Sequence, residues 1–220
     1  MNSPAPAENN NVLSHFSSIE FAVKHDRDIC VGIVTPDGIA LLKVCRESSI
    51  LVEKWSCPKI VNISDTLLMT FCGNEADFRV LADYAKKQST RYHKIYTQPI
   101  STVMLMKEVS ALVNQYTRMN SYRPFAASIL LGCRGSLYNI SPGGEVFQFD
   151  NKIYVMGEKS EQIAAALTRE NLLSLPLDKA VDKCVSVLRH MACLQVGDIR
   201  VYRSNPTQAE AGQNFTTAVV

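Results

Sequence analysis

No apolar run in the chain approaches the roughly 20 residues a helix needs to cross a bilayer, so no membrane partner is expected. Charge of one sign is not in excess either. Lys and Arg number 23 against 21 Asp and Glu, a net charge of +2. The two signs are interspersed, which leaves no basic stripe for a nucleic acid. Neither G-x-G-x-x-G nor G-x-x-x-x-G-K-[ST] occurs, so no phosphate-cradling loop is present. G-x-S-x-G and H-E-x-x-H are also missing. The 4 histidines, His15, His25, His93 and His190, lie far apart and show no metal-ligand spacing with a cysteine. No metal and no cofactor is therefore expected. The opening MNSPAPAENNN has neither a basic n-region nor an apolar h-region and does not read as a secretory signal. On that reading the N-x-S/T triplets at Asn62, Asn139 and Asn214 are chance matches.

The 7 cysteines, Cys30, Cys45, Cys57, Cys72, Cys133, Cys184 and Cys193, form no C-x-x-C pair. Their apolar neighbours, as in Ile29-Cys30-Val31 and Phe71-Cys72, predict buried free thiols in a reducing compartment. A chain of 220 residues, 46% hydrophobic and 20% charged, can bury a sizeable core without staples.

Three stretches follow in order: a flexible tail over 1–17, a folded domain over 18–204 and a polar tail over 205–220. A helical turn is expected around Ile19–Lys24. Cys30–Thr35 and Ile39–Val44 flank Pro36-Asp37-Gly38 and read as a hairpin. Lys59–Ile63 and Leu67–Cys72 form a second pair around Ser64-Asp65-Thr66. The period then changes. Phe78, Leu81, Ala82 and Ala85 recur at helical spacing after the N-cap candidate Asn74, and Met106, Val109, Val113 and Tyr116 line a second helix. Strands return at Ala126–Cys133, Gly135–Ile140, Glu145–Phe149 and Lys152–Met156, with Ser141-Pro142-Gly143-Gly144 as a strong turn. Helices centred on Ile163–Leu167 and on Leu177, Val181, Cys184, Val185, Leu188 and Ala192 precede a last strand, Asp198–Arg203. Strands cluster in hairpins and do not alternate with helices, which disfavours a doubly wound parallel sheet. The expected class is α+β, a four-layer αββα sandwich with two antiparallel sheets between helix layers.

Residue chemistry alone assembles no catalytic constellation. Asp77 and Asp83 are six residues apart, off a common helical face, and read as solvated charges. Cys184 and Cys193 have no second pair to complete a site. Arg123, entering an apolar run at Pro124-Phe125, reads as an ion pair at a helix-to-strand corner.

Several strings nevertheless meet a known family in order. Gln115-Tyr116-Thr117-Arg118 followed by Arg123-Pro124-Phe125-Ala126-Ala127-Ser128-Ile129-Leu130 resembles the Q-x-Y-T…R-P-F-G-V-S-L-L signature of proteasome alpha-type subunits. Gly73 through Asp77-Phe78-Arg79-Val80-Leu81 is similar to G-x-x-x-D-x-R-V-L, and Tyr96-Thr97-Gln98-Pro99-Ile100 to Y-x-E-P-I. Leu137-Tyr138 with Ser141-Pro142-Gly143-Gly144 resembles L-Y-x-x-D-P-S-G, Ser141 replacing the Asp. The likeness runs over about residues 18–200. Ser49-Ile50-Leu51 and Asp77-Phe78-Arg79-Val80-Leu81 point toward the second alpha-type subunit.

The resemblance implies a non-catalytic subunit of the outer seven-membered ring, which controls substrate entry and is stacked on a beta ring that holds the proteolytic sites. Partners would be neighbouring alpha subunits, beta-ring subunits and the C-termini of regulatory ATPases or other activators, in cytoplasm and nucleus. The activator pocket carries over to Lys59 and Gly73; the alternative reading of Lys59 is a surface lysine. Ile19-Glu20-Phe21-Ala22 is the remnant of the family's N-terminal helix, with Phe21 lacking the hydroxyl of the usual Tyr. Family signature residues are Tyr116, Thr117, Arg123, Pro124 and Phe125. Active beta-type subunits need an N-terminal Thr as nucleophile. No Thr-Thr precedes the first strand here, and Val44 stands where an active subunit carries Asp. The competing class is an N-terminal-nucleophile hydrolase or active beta-type subunit, for which Cys30 is the nearby nucleophile candidate.

Overall fold

The computed structural model describes residues 17–24, 26, 28–44, 59–64, 67–119, 122–133, 135–149, 152–170, 172–192, 199–204 and 216–219. The tail over 1–16 and the string Ser49-Ile50-Leu51 lie outside the described residues.

A short helix, α1, spans residues 17–24. It is followed by β1 (Ile29–Thr35), β2 (Gly38–Val44), β3 (Ile60–Ser64) and β4 (Leu67–Gly73). Two helices come next, α2 (Glu75–Tyr96) and α3 (Thr102–Arg118). Then come β5 (Ala127–Cys133), β6 (Ser136–Ile140), β7 (Val146–Phe149) and β8 (Ile153–Gly157). The chain continues through α4 (Ser160–Arg169), α5 (Leu177–Ala192), β9 (Ile199–Ser204) and β10 (Thr216–Val219). One sheet has the order β10-β9-β2-β1-β8 and the other β3-β4-β5-β6-β7, with every pairing antiparallel.

Each central strand is buried on both faces, which is why these segments read as unbroken apolar runs despite being antiparallel. The period of two still sorts their side chains. From β1, Ile29, Val31 and Ile33 face Ile163 and Leu167 of α4 and Leu177, Val181, Cys184 and Leu188 of α5. From β4, Leu67, Met69 and Phe71 face Phe78, Leu81 and Ala85 of α2 and Leu105, Val109 and Val113 of α3. The alternate set, with Cys30, Val34, Leu68, Cys72, Leu130 and Leu137, fills the layer between the sheets. A Cβ on Gly32 would lie 2.9 Å from Leu137 of the opposite sheet, so glycine there permits the close approach. The four layers are thus helix pair, sheet, sheet, helix pair, as the hairpin-clustered sequence predicts.

The helix ends follow the sequence. Asn74 caps α2, its side chain accepting from the Ala76 amide at 2.8 Å, and Glu75 and Asp77 occupy the first turn. Ser101 caps α3 through the Met104 amide.

Two expectations are corrected. The polar stretch over 205–220 contains β10, paired with β9 through Thr216↔Arg203 to Val219↔Arg200. Four residues are too few to show a period, and the strand exists because β9 offers an edge. Asp77 is not a solvated charge: it is 6% exposed. Burial is tolerated because the α2–β5 corner supplies partners for both carboxylate oxygens.

Candidate functional site

The signature residues build a corner where α3 hands the chain to β5. Tyr116, on the last turn of α3, packs its ring against Phe125 at 4.6 Å and Tyr122 at 4.9 Å between centroids. Phe125 is buried and Pro124 half-buried. Thr117 Oγ1 donates to the Asn114 carbonyl at 2.7 Å, within its own helix. Arg123 Nη2 donates to Asp77 Oδ1, and the Ala126 amide donates to Asp77 Oδ2 at 2.8 Å. The pairing with Asp77 raises the pKa of Arg123 further. The signature is therefore a structural device that pins β5 to the start of α2.

A second tie fastens α3 to the turn after β6. Ser110 Oγ donates to the Gly144 carbonyl at 2.5 Å and Asn114 Nδ2 to the Gly143 carbonyl at 3.3 Å. Ser141, in the family's Asp position, closes the turn by accepting from the Glu145 amide at 3.1 Å.

Lys59 and Gly73 lie at one end of the second sheet, beside the N-terminus of α2. Lys59 precedes β3, and its carbonyl accepts from Thr70 Oγ1 at 3.1 Å. Its ammonium is ion-paired to Glu75 Oε2 in the first turn of α2. The side chains are 15% and 29% exposed, so this pair is neither a free surface lysine nor a buried bridge. Gly73 has φ +113°, and a Cβ there would stand 2.4 Å from the Ala126 carbonyl. Its amide donates to Asp26 Oδ2 at 2.6 Å. Glycine at 73 is thus already demanded by the approach of β5, whatever else comes near. In the α1 remnant, Ile19 is half-buried while Glu20, Phe21 and Ala22 are exposed, Phe21 at 63%. Val23 anchors the helix, with Cγ2 3.1 Å from the place a Gly73 Cβ would take.

One cluster is not foreseen by the sequence reading. Lys43 of β2 is fully buried. Its ammonium pairs with Asp28 at 3.0 Å, donates to the Phe71 carbonyl at 2.7 Å and lies 4.0 Å from the centroid of the Phe71 ring. Cys30 and Cys72 complete the group. The signal was a single lysine inside the apolar run Ile39–Val44, where every other side chain is apolar. Among the described residues no group of His, Cys, Asp and Glu is arranged to hold a metal. No described helix is long and apolar enough to cross a membrane.

Two helix-flanked antiparallel sheets, with a Tyr-Thr…Arg-Pro-Phe corner locking β5 to α2, define a subunit-type sandwich of the proteasome class. The proteasome subunit family model matches residues 28–200, and the chain belongs to that family. The proteasome subunit alpha type-2 of Oryza sativa subsp. indica is 26% identical, covering 72% of this chain and 68% of its own length. That of Drosophila melanogaster is 28% identical over 72% and 69%. The probable proteasome subunit alpha type-2 of Schizosaccharomyces pombe is 30% identical over 72% and 66%. These relatives agree with the alpha-type likeness drawn from the sequence strings. The family match leaves out α1.

Proposed function

We propose that the chain is a non-catalytic alpha-type subunit of the proteasome core particle. In this role it assembles with other alpha subunits and with the beta ring, in cytoplasm and nucleus, to control entry of proteins for degradation. The observation that carries this reading is the family match over residues 28–200 together with the alpha type-2 relatives. The head of β1 supports the absence of catalysis. It reads Asp28-Ile29-Cys30, with no threonine to become a nucleophile, and Cys30 is buried between the sheets. Native mass spectrometry of the endogenous protein tests the assembly. A particle of stacked rings containing other alpha and beta chains is expected; a free monomer without those chains would overturn it.

Within that assembly, Lys59 is the residue to receive the terminal carboxylate of an activator. Glu75 is a built-in competitor, because an incoming carboxylate has to displace it from the Lys59 ammonium. Glu75→Gln therefore tightens, and Lys59→Met weakens, binding of a fluorescent peptide with a free C-terminus to the assembled particle. Amidation of that peptide should remove the difference between wild type and Glu75→Gln. Equal affinities for all three proteins would exclude Lys59 from docking.

A further inference from the structure

The layer between the sheets is apolar at its centre and polar at one end. Leu130 of β5 and Leu137 of β6 lie in that layer. Two residues along each strand, on the same face, stand Ser128 and Asn139, 8% and 7% exposed. They begin a chain of hydrogen bonds that crosses from one sheet to the other. Ser128 Oγ donates to Asn139 Oδ1 at 2.8 Å, and Asn139 Nδ2 donates to the phenol oxygen of Tyr154, on β8, at 3.2 Å. The phenol accepts at the end of this chain, and its own proton has no acceptor among the described residues. Burial raises the pKa of Tyr154, so the phenol keeps that proton. Phe149 stacks on the Tyr154 ring, with centroids 3.7 Å and planes 18° apart, and fixes where the hydroxyl points.

A cavity of about 450 Å³ opens at this place, with Ser128, Asn139 and Tyr154 among its lining residues. Small-molecule sites run to roughly 300–1,000 Å³, and one water takes about 30 Å³. The space is therefore of ligand size. Phe149, Met156 and, from α1, Val23 supply apolar wall. The charged lining residues are Glu20, Glu145 and Lys24, a balance that disfavours an anion.

We propose that this cavity binds a small neutral aryl carbonyl compound. The carbonyl oxygen accepts the Tyr154 phenol proton, completing the chain that Ser128 begins. The ring lies against Phe149 and Met156, whose thioether favours an aromatic neighbour. An aromatic hydrocarbon of the same shape leaves the phenol proton unpaired, and a carboxylate meets charge of its own sign. This inference does not depend on the subunit reading, since every wall of the cavity belongs to this chain.

The test is photolabelling of the full chain in its native assembly with benzophenone under near-ultraviolet light, followed by peptide mapping. Benzophenone is itself a neutral aryl ketone and couples to C–H bonds that it touches. A saturable adduct on the peptide spanning 153–159, which carries Met156, is expected. Acetophenone competes for it and benzoate does not. Tyr154→Phe keeps the ring and its stack on Phe149 and loses only the hydroxyl. It lowers labelling of that peptide at least fivefold at a subsaturating dose. Failure to label the peptide, labelling that does not saturate, or benzoate competing as well as acetophenone would overturn the proposal. So would equal labelling in Tyr154→Phe. The first three outcomes are read on the wild-type chain and need no variant to fold.

Discussion

Replacing Asp77 by alanine separates two contributions that the α2–β5 corner combines. One carboxylate oxygen holds the Arg123 guanidinium and the other accepts from the Ala126 amide at 2.8 Å. Arg123 is 60% exposed while Asp77 is 8% exposed at the side chain. An ion pair with one arm in water contributes about 0–1 kcal/mol. A backbone amide bonded to a charged acceptor is worth about 1.5–3 kcal/mol. Asp77→Ala should therefore cost about 3 kcal/mol and Arg123→Ala under about 1 kcal/mol. For a domain of this size that is a fall in Tm of about 6–12 °C against less than about 4 °C. Asp77→Asn keeps a carbonyl for the Ala126 amide and should fall between the two. Thermal unfolding of the purified chain, followed by circular dichroism, reads all three. An Arg123→Ala loss as large as that of Asp77→Ala would refute the reasoning, because the exposed pair and not the amide would then hold the corner.

The remaining predictions concern glycine, buried charge and thiol reactivity. Gly73→Ala should destabilise by about 2 kcal/mol or more, since φ is +113° and the new Cβ would meet a backbone carbonyl; the same melting assay reads it. Asp28→Asn should cost about 3 kcal/mol by leaving the Lys43 ammonium buried without its carboxylate. Lys43→Met should cost less, because the Asp28 side chain, 23% exposed, can turn to water; urea denaturation gives the order, and the reverse order would refute it. Burial pushes the Cys184 thiol up to about 12. Iodoacetamide at about pH 8.5 should therefore spare Cys184 in the folded chain and label it after denaturation, as mass spectrometry can follow.

The layers were legible because periodicity reports burial directly. Hairpin pairs, helix stripes and the cap Asn74 are local patterns, and each strand from β1 to β9 formed within a residue of its expected span, while α2 runs on to Tyr96, well past the stripe that ends at Ala85. What could not be read locally were pairings across the fold. Arg123 was legible as a charge that needs a partner, but Asp77 lies 46 residues earlier and looks like any first-turn acid. The strand over Thr216–Val219 was illegible for the same reason, its cause being the free edge of β9.

Lys43 shows the limit most sharply. A lysine in an apolar strand is costly unless its ammonium is met by a carboxylate and further acceptors. Those groups come from three places: Asp28 before β1, the carbonyl of Phe71 and the face of its ring. Strand order brings β1 beside β2 in one sheet, and Phe71 of β4 reaches Lys43 from the opposite sheet. A charge buried between two sheets, beside two thiols that belong to different sheets, makes no contribution that an apolar side chain of the same volume could not replace in packing. Its consequence is electrostatic. It lowers the cost of a negative sulfur in that layer, an influence that Cys184, pushed upward by burial alone, does not feel.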